Sequence, residues 1–279
     1  MIKRYLVMLL LSVMTLTWSN EPIDKTTFLA AKASHTPFRK PSQIDETTWQ
    51  NIQPYLLPLN HPVKKHLDRL FNNKHYTYSL ETLEKGGFQC TTGNHPEKAI
   101  IAKHLLVKDY ILKIYTDDQL GINELDVWIK RIEGANYIRN VIRERRYEPL
   151  LKVPQKWLYP LPHAQPGQKA FILVVEDMKI LRHEENYEKW HSFDLPSEYP
   201  FAVYEVILLA GLNDSVYIDN IPFCKDNKVA FIDTEHYNNW PIDFSIFFNV
   251  LDKKKQKLFE MISYTDYSTN DSFSSISSN

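Results

Sequence analysis

A long amphipathic segment is the feature of this 279-residue sequence that most constrains its fold. Between Ile122 and Arg146, apolar side chains recur at spacings of three and four, which is the period of one face of an α-helix. The apolar stripe comprises Leu125, Trp128, Ile129, Ile132, Ala135, Ile138 and Ile142. The spacing therefore predicts an amphipathic helix of about six turns.

Shorter patterns surround this helix and predict a mixture of strands and further helices. The run Ala170–Val175 is continuously apolar, which is typical of a strand buried on both faces. Strands are expected in Ile100–Val107, Tyr110–Tyr115, Leu150–Leu161 and Ala170–Val175, and helices in Thr47–Leu57, Asn60–Phe71, Pro200–Leu212 and Pro241–Ser263. In the second of these helices, Asn60 is a plausible N-cap and Pro62 a first-turn residue.

The stretch LNDSVYIDNIPFCKDNKVAFIDTE carries the strongest chemical signal and spans Leu212–Glu235. Two short apolar or alternating runs flank the turn-forming residues 225–227, so the segment predicts a tight β-hairpin. Such a hairpin would bring Asn220 and Asp233 to neighbouring strand ends. Their side-chain oxygens are hard ligands of the kind that divalent cations prefer. An ordinary surface hairpin with a polar residue at each end is equally compatible with the pattern.

This segment resembles the catalytic loop and metal-binding strand of the protein kinase-like superfamily. The sequence DTE at 233–235, in place of DFG, is closer to aminoglycoside phosphotransferase-like and lipopolysaccharide kinase-like members than to protein kinases. The family has a catalytic Asp five residues before the metal-binding Asn, but here that position is Ser215, and Asp214 precedes it. The resemblance runs from about Glu81 to Glu235 and implies a bilobal α+β fold. Its small lobe would hold an antiparallel sheet, and its second lobe would be helical and reduced in size.

The resemblance also implies functions for particular residues. Lys113, in YILKIYTD, would contact the phosphates of ATP, while Asn220 and Asp233 would bind Mg²⁺. Asp214 would act as a substitute general base, and replacing Ser215 with Asp would restore the family spacing and raise any turnover. The glycines of EKGGFQCTTG do not form the family's GxGxxG pattern.

Two carboxylates and a hinge segment complete the expected cofactor site. Glu133 is the candidate partner of Lys113, with Glu124 in reserve; an ordinary solvated carboxylate is the alternative for Glu133. Glu176 and Met178 follow the buried strand Ala170–Val175, and the resemblance implies that their main-chain groups contact the adenine.

Two functions from different classes follow. The first is an ATP- and Mg²⁺-dependent phosphotransferase with a degenerate catalytic loop. The second is a catalytically inactive pseudokinase that binds protein partners as an exported effector or scaffold. Partners are accordingly an unknown protein or a small-molecule substrate. A net charge of −1 and a pI near 6.8 give no basic footprint for nucleic acid.

The N-terminus predicts export. Lys3 and Arg4 precede an apolar run of signal-peptide length, and small or polar residues follow it, so residues 1–19 are expected to be cleaved. The mature protein would be secreted or periplasmic, without a stable membrane anchor. The expected organisation continues with a helical extension (20–80), a small lobe (81–178), a reduced second lobe (179–263) and a polar tail (264–279). Cys90 and Cys224 could form a disulfide bond or remain free.

Overall fold

A computed structural model describes residues 36–72, 74–93, 98–259 and 261. The expected signal peptide (1–19) and polar tail (264–279) lie outside the described residues. The helices are α1 (Glu46–Ile52), α2 (Lys64–Phe71), α3 (Leu80–Lys85), α4 (Glu124–Glu144), α5 (His183–His191), α6 (Glu198–Ala210), α7 (Ser245–Phe248) and α8 (253–259). The strands are β1 (Gln89–Thr91), β2 (Ile100–Lys103), β3 (Tyr110–Ile114), β4 (Leu151–Lys152), β5 (Lys156–Pro160), β6 (Phe171–Glu176) and β7 (Val229–Ala230).

Among these elements, five strands form one antiparallel sheet in the order β1-β2-β3-β6-β5. The predicted buried strand becomes β6, and it lies between β3 and β5, where its residues Phe171–Val175 are fully buried. In β3, Lys113 lies opposite Ile101 on one side and Leu173 on the other. The described chain is thus of the α+β class, as the sequence predicts.

The predicted long helix is α4, and it connects two apolar cores. Trp128 and Ile132 pack with the sheet, where the Trp128 indole stacks on Tyr115 with ring centroids 4.8 Å apart. Further along the same helix, Ala135 and Ile138 belong to the second core. Because one apolar stripe runs through both cores, α4 fixes the sheet relative to the C-terminal helices.

The second core is built around α6, whose apolar residues are buried on several sides. The buried Trp190 of α5 packs against Phe223 and Phe247, and its indole N–H donates to the Ile221 carbonyl oxygen at 3.2 Å. This hydrogen bond anchors the chain just after Asn220 and so helps to position the segment that carries the expected metal ligands.

Several boundaries differ from the sequence-based expectations. Helix α2 begins at Lys64 rather than near Asn60, and the expected strand Ile100–Val107 ends at Lys103 and is followed by a 3₁₀ turn. The expected helix Pro241–Ser263 is divided into α7 and α8. Propensity and periodicity do not register such breaks, which are set by how the chain packs against its neighbours.

The predicted hairpin is present. The main-chain N–H groups of Cys224, Ala230 and Ile232 donate to the carbonyl oxygens of Lys228, Pro222 and Asn220, so the two arms pair antiparallel as far as Asn220 and Ile232, and β7 also pairs in parallel with β4. Cys90 and Cys224 are both free thiols, since one packs with the sheet and the other lies beside Met178. None of the described helices is long and apolar enough to span a bilayer.

Candidate functional site

Charged side chains from α4, β3, β5, the loop after α6 and the segment after β7 meet in one cluster, which we call the ionic cleft (Lys113, Arg131, Lys156, Asp214, Asp233 and Glu235). Its centre is Arg131, whose guanidinium lies 2.5 Å from an Asp233 oxygen and 2.7 Å from a Glu235 oxygen. Helix α4 reaches this position because Gly134 has no side chain: a Cβ there would lie 1.9 Å from the Thr234 carbonyl oxygen. The glycine thus permits close contact between α4 and the DTE segment.

Lys113 lies at this cleft. Burial and the charge of Arg131 lower the pKa of Lys113 to about 8, while Asp233 and Glu235 act in the opposite direction. Among the described residues, no carboxylate comes within 4.0 Å of its ammonium group. At neutral pH the side chain is therefore a cation that faces the Asp233 carboxylate without a direct ion pair.

The expected pairing of Glu133 with Lys113 is wrong. The Glu133 carboxylate accepts hydrogen bonds from the hydroxyl groups of Tyr55 at 2.6 Å and Tyr237 at 3.1 Å, and this contact raises the pKa of Tyr55 to about 12. Glu133 follows Arg131 by two positions, which rotates it by about 200° around the helix and turns it away from the cleft.

The reserve candidate, Glu124, is also placed elsewhere. Its carboxylate accepts the Ala170 N–H at 2.8 Å and lies 3.9 Å from the Lys169 ammonium group. It therefore fixes the first turn of α4 to the start of β6, and it does not reach Lys113.

Lys156 is a cleft residue that the sequence analysis did not identify. Its side chain is buried, and its ammonium nitrogen donates to the Thr234 hydroxyl at 2.6 Å and to the Ile232 carbonyl oxygen at 3.2 Å. Burial and the neighbouring positive charges of Lys113 and Arg131 hold the pKa of Lys156 well below its usual value. Lys156 thus contacts the residues on both sides of Asp233, through the Ile232 main chain and the Thr234 side chain.

The sequence does carry signals for Lys156 and for Arg131, neither of which the sequence analysis identified. Lys156 and Leu158 occupy alternate positions of β5 and therefore the same face, and Leu158 is fully buried. On α4, Arg131 follows Trp128 by three positions and precedes Ala135 by four, so it lies on the same face as these buried residues.

Asp233 has a strongly cationic environment. Burial alone would raise the pKa of its carboxyl, but the charges of Arg131, Lys113 and Lys156 outweigh burial and hold this pKa well below its usual range. The Asp233 carboxylate is therefore ionised at all physiological pH values.

Asp214 has the opposite environment. Burial, followed by the negative charge of Asp233, raises the pKa of Asp214 to about 6. Within the described chain, one of its carboxyl oxygens is buried without a hydrogen-bond partner. Asp214 is thus electrostatically coupled to Asp233, in spite of its shift by one position from the family pattern.

Ser215, which occupies the family's base position, is buried completely. Its hydroxyl oxygen likewise has no hydrogen-bond partner among the residues that the structure describes. The local register therefore gives Asp214 the electrostatic contact with the ionic cleft and places Ser215 in the protein interior.

Asn220 joins the two carboxylate segments. Its side-chain N–H donates to the Asp214 main-chain carbonyl oxygen at 2.8 Å. The main-chain carbonyl oxygen of Asn220 accepts the Ile232 N–H at 3.0 Å. The structure thus brings Asp214, Asn220 and the residue before Asp233 together, and the predicted hairpin carries Asn220 and Ile232 to its open end.

The residues present fit a hard divalent cation in their donor chemistry. Because the Asn220 amide nitrogen is engaged by Asp214, its side-chain oxygen is left as an acceptor, and the Asp233 carboxylate supplies a second oxygen ligand. In the described part of the chain, no group of three or more His, Cys, Asp or Glu residues could hold a metal ion. Arg131 is a competing partner for the Asp233 carboxylate.

Glu176 and Met178, which the sequence analysis expects to form a hinge, lie at and just after the end of β6. The Glu176 N–H donates to the Gln155 carbonyl oxygen at 3.0 Å, and Lys152 donates to the Met178 carbonyl oxygen at 3.4 Å. The Met178 side chain packs with Cys224 and Ala230. These main-chain groups thus have internal partners, so any adenine contact would have to use the others.

Comparison with known protein families finds no family model that matches this chain, and no curated protein matches its sequence.

Proposed function

We propose that the protein is a kinase-like phosphotransferase with a bilobal fold and a catalytic loop that departs from the family's spacing. One observation carries this proposal: the carboxyl of Asp214, and not the side chain of Ser215, is coupled to Asp233 in the ionic cleft. A shift of one position would remove the base if it turned the side chain away, and the electrostatic coupling to Asp233 argues against that.

Asp214 is the group we assign as general base. A base works best when its pKa lies near the working pH, and a pKa of about 6 leaves Asp214 mostly ionised at pH 7 but still able to accept a proton. Asp214 as a whole is half-buried, and one of its oxygens has no hydrogen-bond partner within the described chain, so the carboxyl retains an acceptor for a substrate hydroxyl.

Lys113 would bind phosphate. Its pKa of about 8 keeps it cationic at neutral pH, and within the described chain no carboxylate forms a direct ion pair with its ammonium group. Asn220 and Asp233 would hold Mg²⁺, which when bound supplies neutralisation of the charge on ATP phosphates. Lys156 would position Asp233 through its bonds to Ile232 and Thr234.

The test of the base is the turnover of Asp214→Asn in the mature chain with ATP and Mg²⁺. Loss of a general base lowers turnover by about 10²–10⁴-fold, so this is the expected change. Ser215→Ala is the matched control, because it alters the adjacent residue, and its turnover should stay within about threefold of wild type. Equal turnover in Asp214→Asn and wild type would refute the assignment.

A second candidate function, a pseudokinase-type binding module, is favoured by the ion pair between Arg131 and Asp233. Such a pair satisfies the Asp233 carboxylate without any metal. Titration calorimetry with ATP separates the two candidates: the phosphotransferase should bind ATP more tightly with Mg²⁺ than without it. Absence of ATP binding at millimolar concentration, with and without Mg²⁺, would favour the binding module.

We also propose that the protein is exported, to a secreted or periplasmic location, on the basis of the N-terminal sequence pattern. ATP is scarce outside cells, so an active enzyme would need delivery to a compartment that contains ATP. Mass spectrometry of the exported protein should find a chain that begins near Asn20, and an intact Met1 terminus would contradict this proposal.

A further inference from the structure

A separate cavity of about 510 Å³ lies between the segment before α1, helix α2 and the end of β5. Its volume is within the range of about 300–1,000 Å³ that is typical of sites for small molecules. None of the ionic-cleft residues lines it. The cavity is thus separate from the ionic cleft.

The lining of the cavity is strongly basic. Arg39, Lys64, Lys65 and Arg69 contribute four positive charges, and Asp68 is the acidic residue among the described lining. The charge of Asp68 is already compensated, because it accepts hydrogen bonds from Lys64 at 2.7 Å and from the Tyr159 hydroxyl at 2.9 Å. The remaining cations are Arg39, Lys65 and Arg69.

These three side chains are exposed, and within the described ranges no carboxylate lies within 4.0 Å of any of them. Two of these cations act on the neighbouring His66, whose pKa is lowered by burial and then by the charges of Lys65 and Arg69. The cavity therefore has an excess of positive charge that the described chain does not neutralise.

Part of the cavity lining is apolar. The Phe38 ring packs edge-on against Tyr159 with centroids 5.6 Å apart, and the Lys64 ammonium group lies 4.6 Å from the centre of the Phe38 ring. Pro160 and Pro162 extend this apolar part. One cavity thus offers cations for an anionic head group and an apolar surface for the body of the same molecule.

We propose that this basic cavity binds a small organic phosphate, whose phosphate group contacts Arg39, Lys65 and Arg69 and whose apolar body contacts Phe38 and the prolines. A phosphate monoester matches three cations better than a carboxylate does, because it carries a charge between −1.5 and −2 at about pH 7 and offers three acceptor oxygens. Arginine is also suited to two-pronged contacts with phosphate.

The experiment is titration calorimetry of the full mature chain with phenyl phosphate. Arg39→Gln and Arg69→Gln should each weaken binding by about tenfold or more, since each removes a charge-assisted hydrogen bond. Arg143→Gln is the matched control, because Arg143 is exposed on α4 and does not line the cavity. Lys113→Met, which alters the ionic cleft, should bind phenyl phosphate as wild type does.

Three results would overturn the proposal. The first is absence of binding at millimolar phenyl phosphate. The second is binding that Lys113→Met abolishes and that Arg39→Gln and Arg69→Gln retain, since the ligand would then occupy the ionic cleft. The third is benzoate binding as tightly as phenyl phosphate, which would exclude a preference for phosphate. Both arginine positions are exposed, so these variants should fold normally, and failure of the proposed phosphotransferase activity would leave the outcome unaffected.

Discussion

The loop that carries Asp214 and the segment that carries Asp233 place the same chemical group in two opposite environments. Asp233 is surrounded by Arg131, Lys113 and Lys156, which hold its pKa well below the usual range in spite of burial. Asp214 is desolvated and close to the negative charge of Asp233, and its pKa rises to about 6. One carboxylate is thus suited to a permanent charge and the other to proton transfer.

The difference comes from the neighbouring elements and not from the residue type. The cations around Asp233 arrive from α4, β3 and β5, which are distant in sequence, while the loop before Asn220 brings none to Asp214. Two aspartates separated by nineteen positions, 214 and 233, therefore acquire different chemistry because the fold distributes charge unequally between them.

The largest expected effect belongs to Ser215→Asp, which would restore the spacing of the kinase-like family. Ser215 is fully buried, and Asp214 and Asp233 are already close by, so a third carboxylate would be desolvated without a cation of its own. We expect a loss of about 4 kcal/mol in the free energy of unfolding. Urea denaturation of the variant and the wild type measures this loss of stability. A stable Ser215→Asp protein with raised turnover would instead show that the family register is accessible.

Asp233→Ala should have the next largest effect. It would leave Arg131, whose side chain is only 12% exposed, without its closest counter-charge, and Lys113 and Lys156 would repel it further. We expect a loss of about 3 kcal/mol, at the lower end for a buried pair because the Asp233 side chain is 28% exposed.

Glu188→Ala, on the exposed face of α5, is the control for this variant in urea denaturation and should change stability by less than about 0.5 kcal/mol. Equal stability of Asp233→Ala and Glu188→Ala would mean that the cations of the ionic cleft do not depend on Asp233.

The pH dependence of stability should have opposite signs for the two carboxylates. Because the folded-state pKa of Asp214 is raised, the folded protein loses stability as pH rises from about 4 to 6. Because the folded-state pKa of Asp233 is lowered, stability is lost as pH falls below about 4. Relative to wild type, Asp214→Asn should gain on the order of 2 kcal/mol between pH 4 and pH 7.

Urea denaturation of both Asn variants across this pH range checks the comparison. Asp233→Asn should remove the loss of stability on the acid side and reduce the slope between pH 4 and 6 without abolishing it, because burial, the larger cause, still raises the pKa of Asp214. The same slope in Asp214→Asn as in wild type would contradict the environment that we assign to Asp214.

The smallest effect is expected for Glu133→Gln. A glutamine keeps one acceptor oxygen for Tyr55 or Tyr237, so the loss should be about 1 kcal/mol of stability. Nucleotide affinity should stay within about twofold, while it should fall in Lys113→Met, since Glu133 is turned away from the cleft. A matching fall in both variants, measured by titration calorimetry, would restore the pairing of Glu133 with Lys113.

Sequence by itself determined the local elements whose signal is periodic. The apolar stripe of α4 and the continuous apolar run of β6 predict their elements to within about two residues, because burial on one face or two imposes a regular spacing. The order of residue types along the chain also indicates Lys113, Asn220 and Asp233 as candidate site residues. The local patterns predict strands in the regions that contain β4 and β7, but they do not predict the parallel pairing of these two strands, which joins positions far apart in the chain.

Only the tertiary structure decided the charge partners. The sequence analysis chose Glu133 for Lys113, but helix rotation turned Glu133 to the tyrosines and brought Arg131 to Asp233. Lys156 entered the same cleft from β5, seventy-seven positions before Asp233. Coulomb interactions depend on distance in space and on burial, and neither is encoded by separation along the chain. The pattern of the sequence therefore determines the faces of helices and strands, while their packing determines which charges meet.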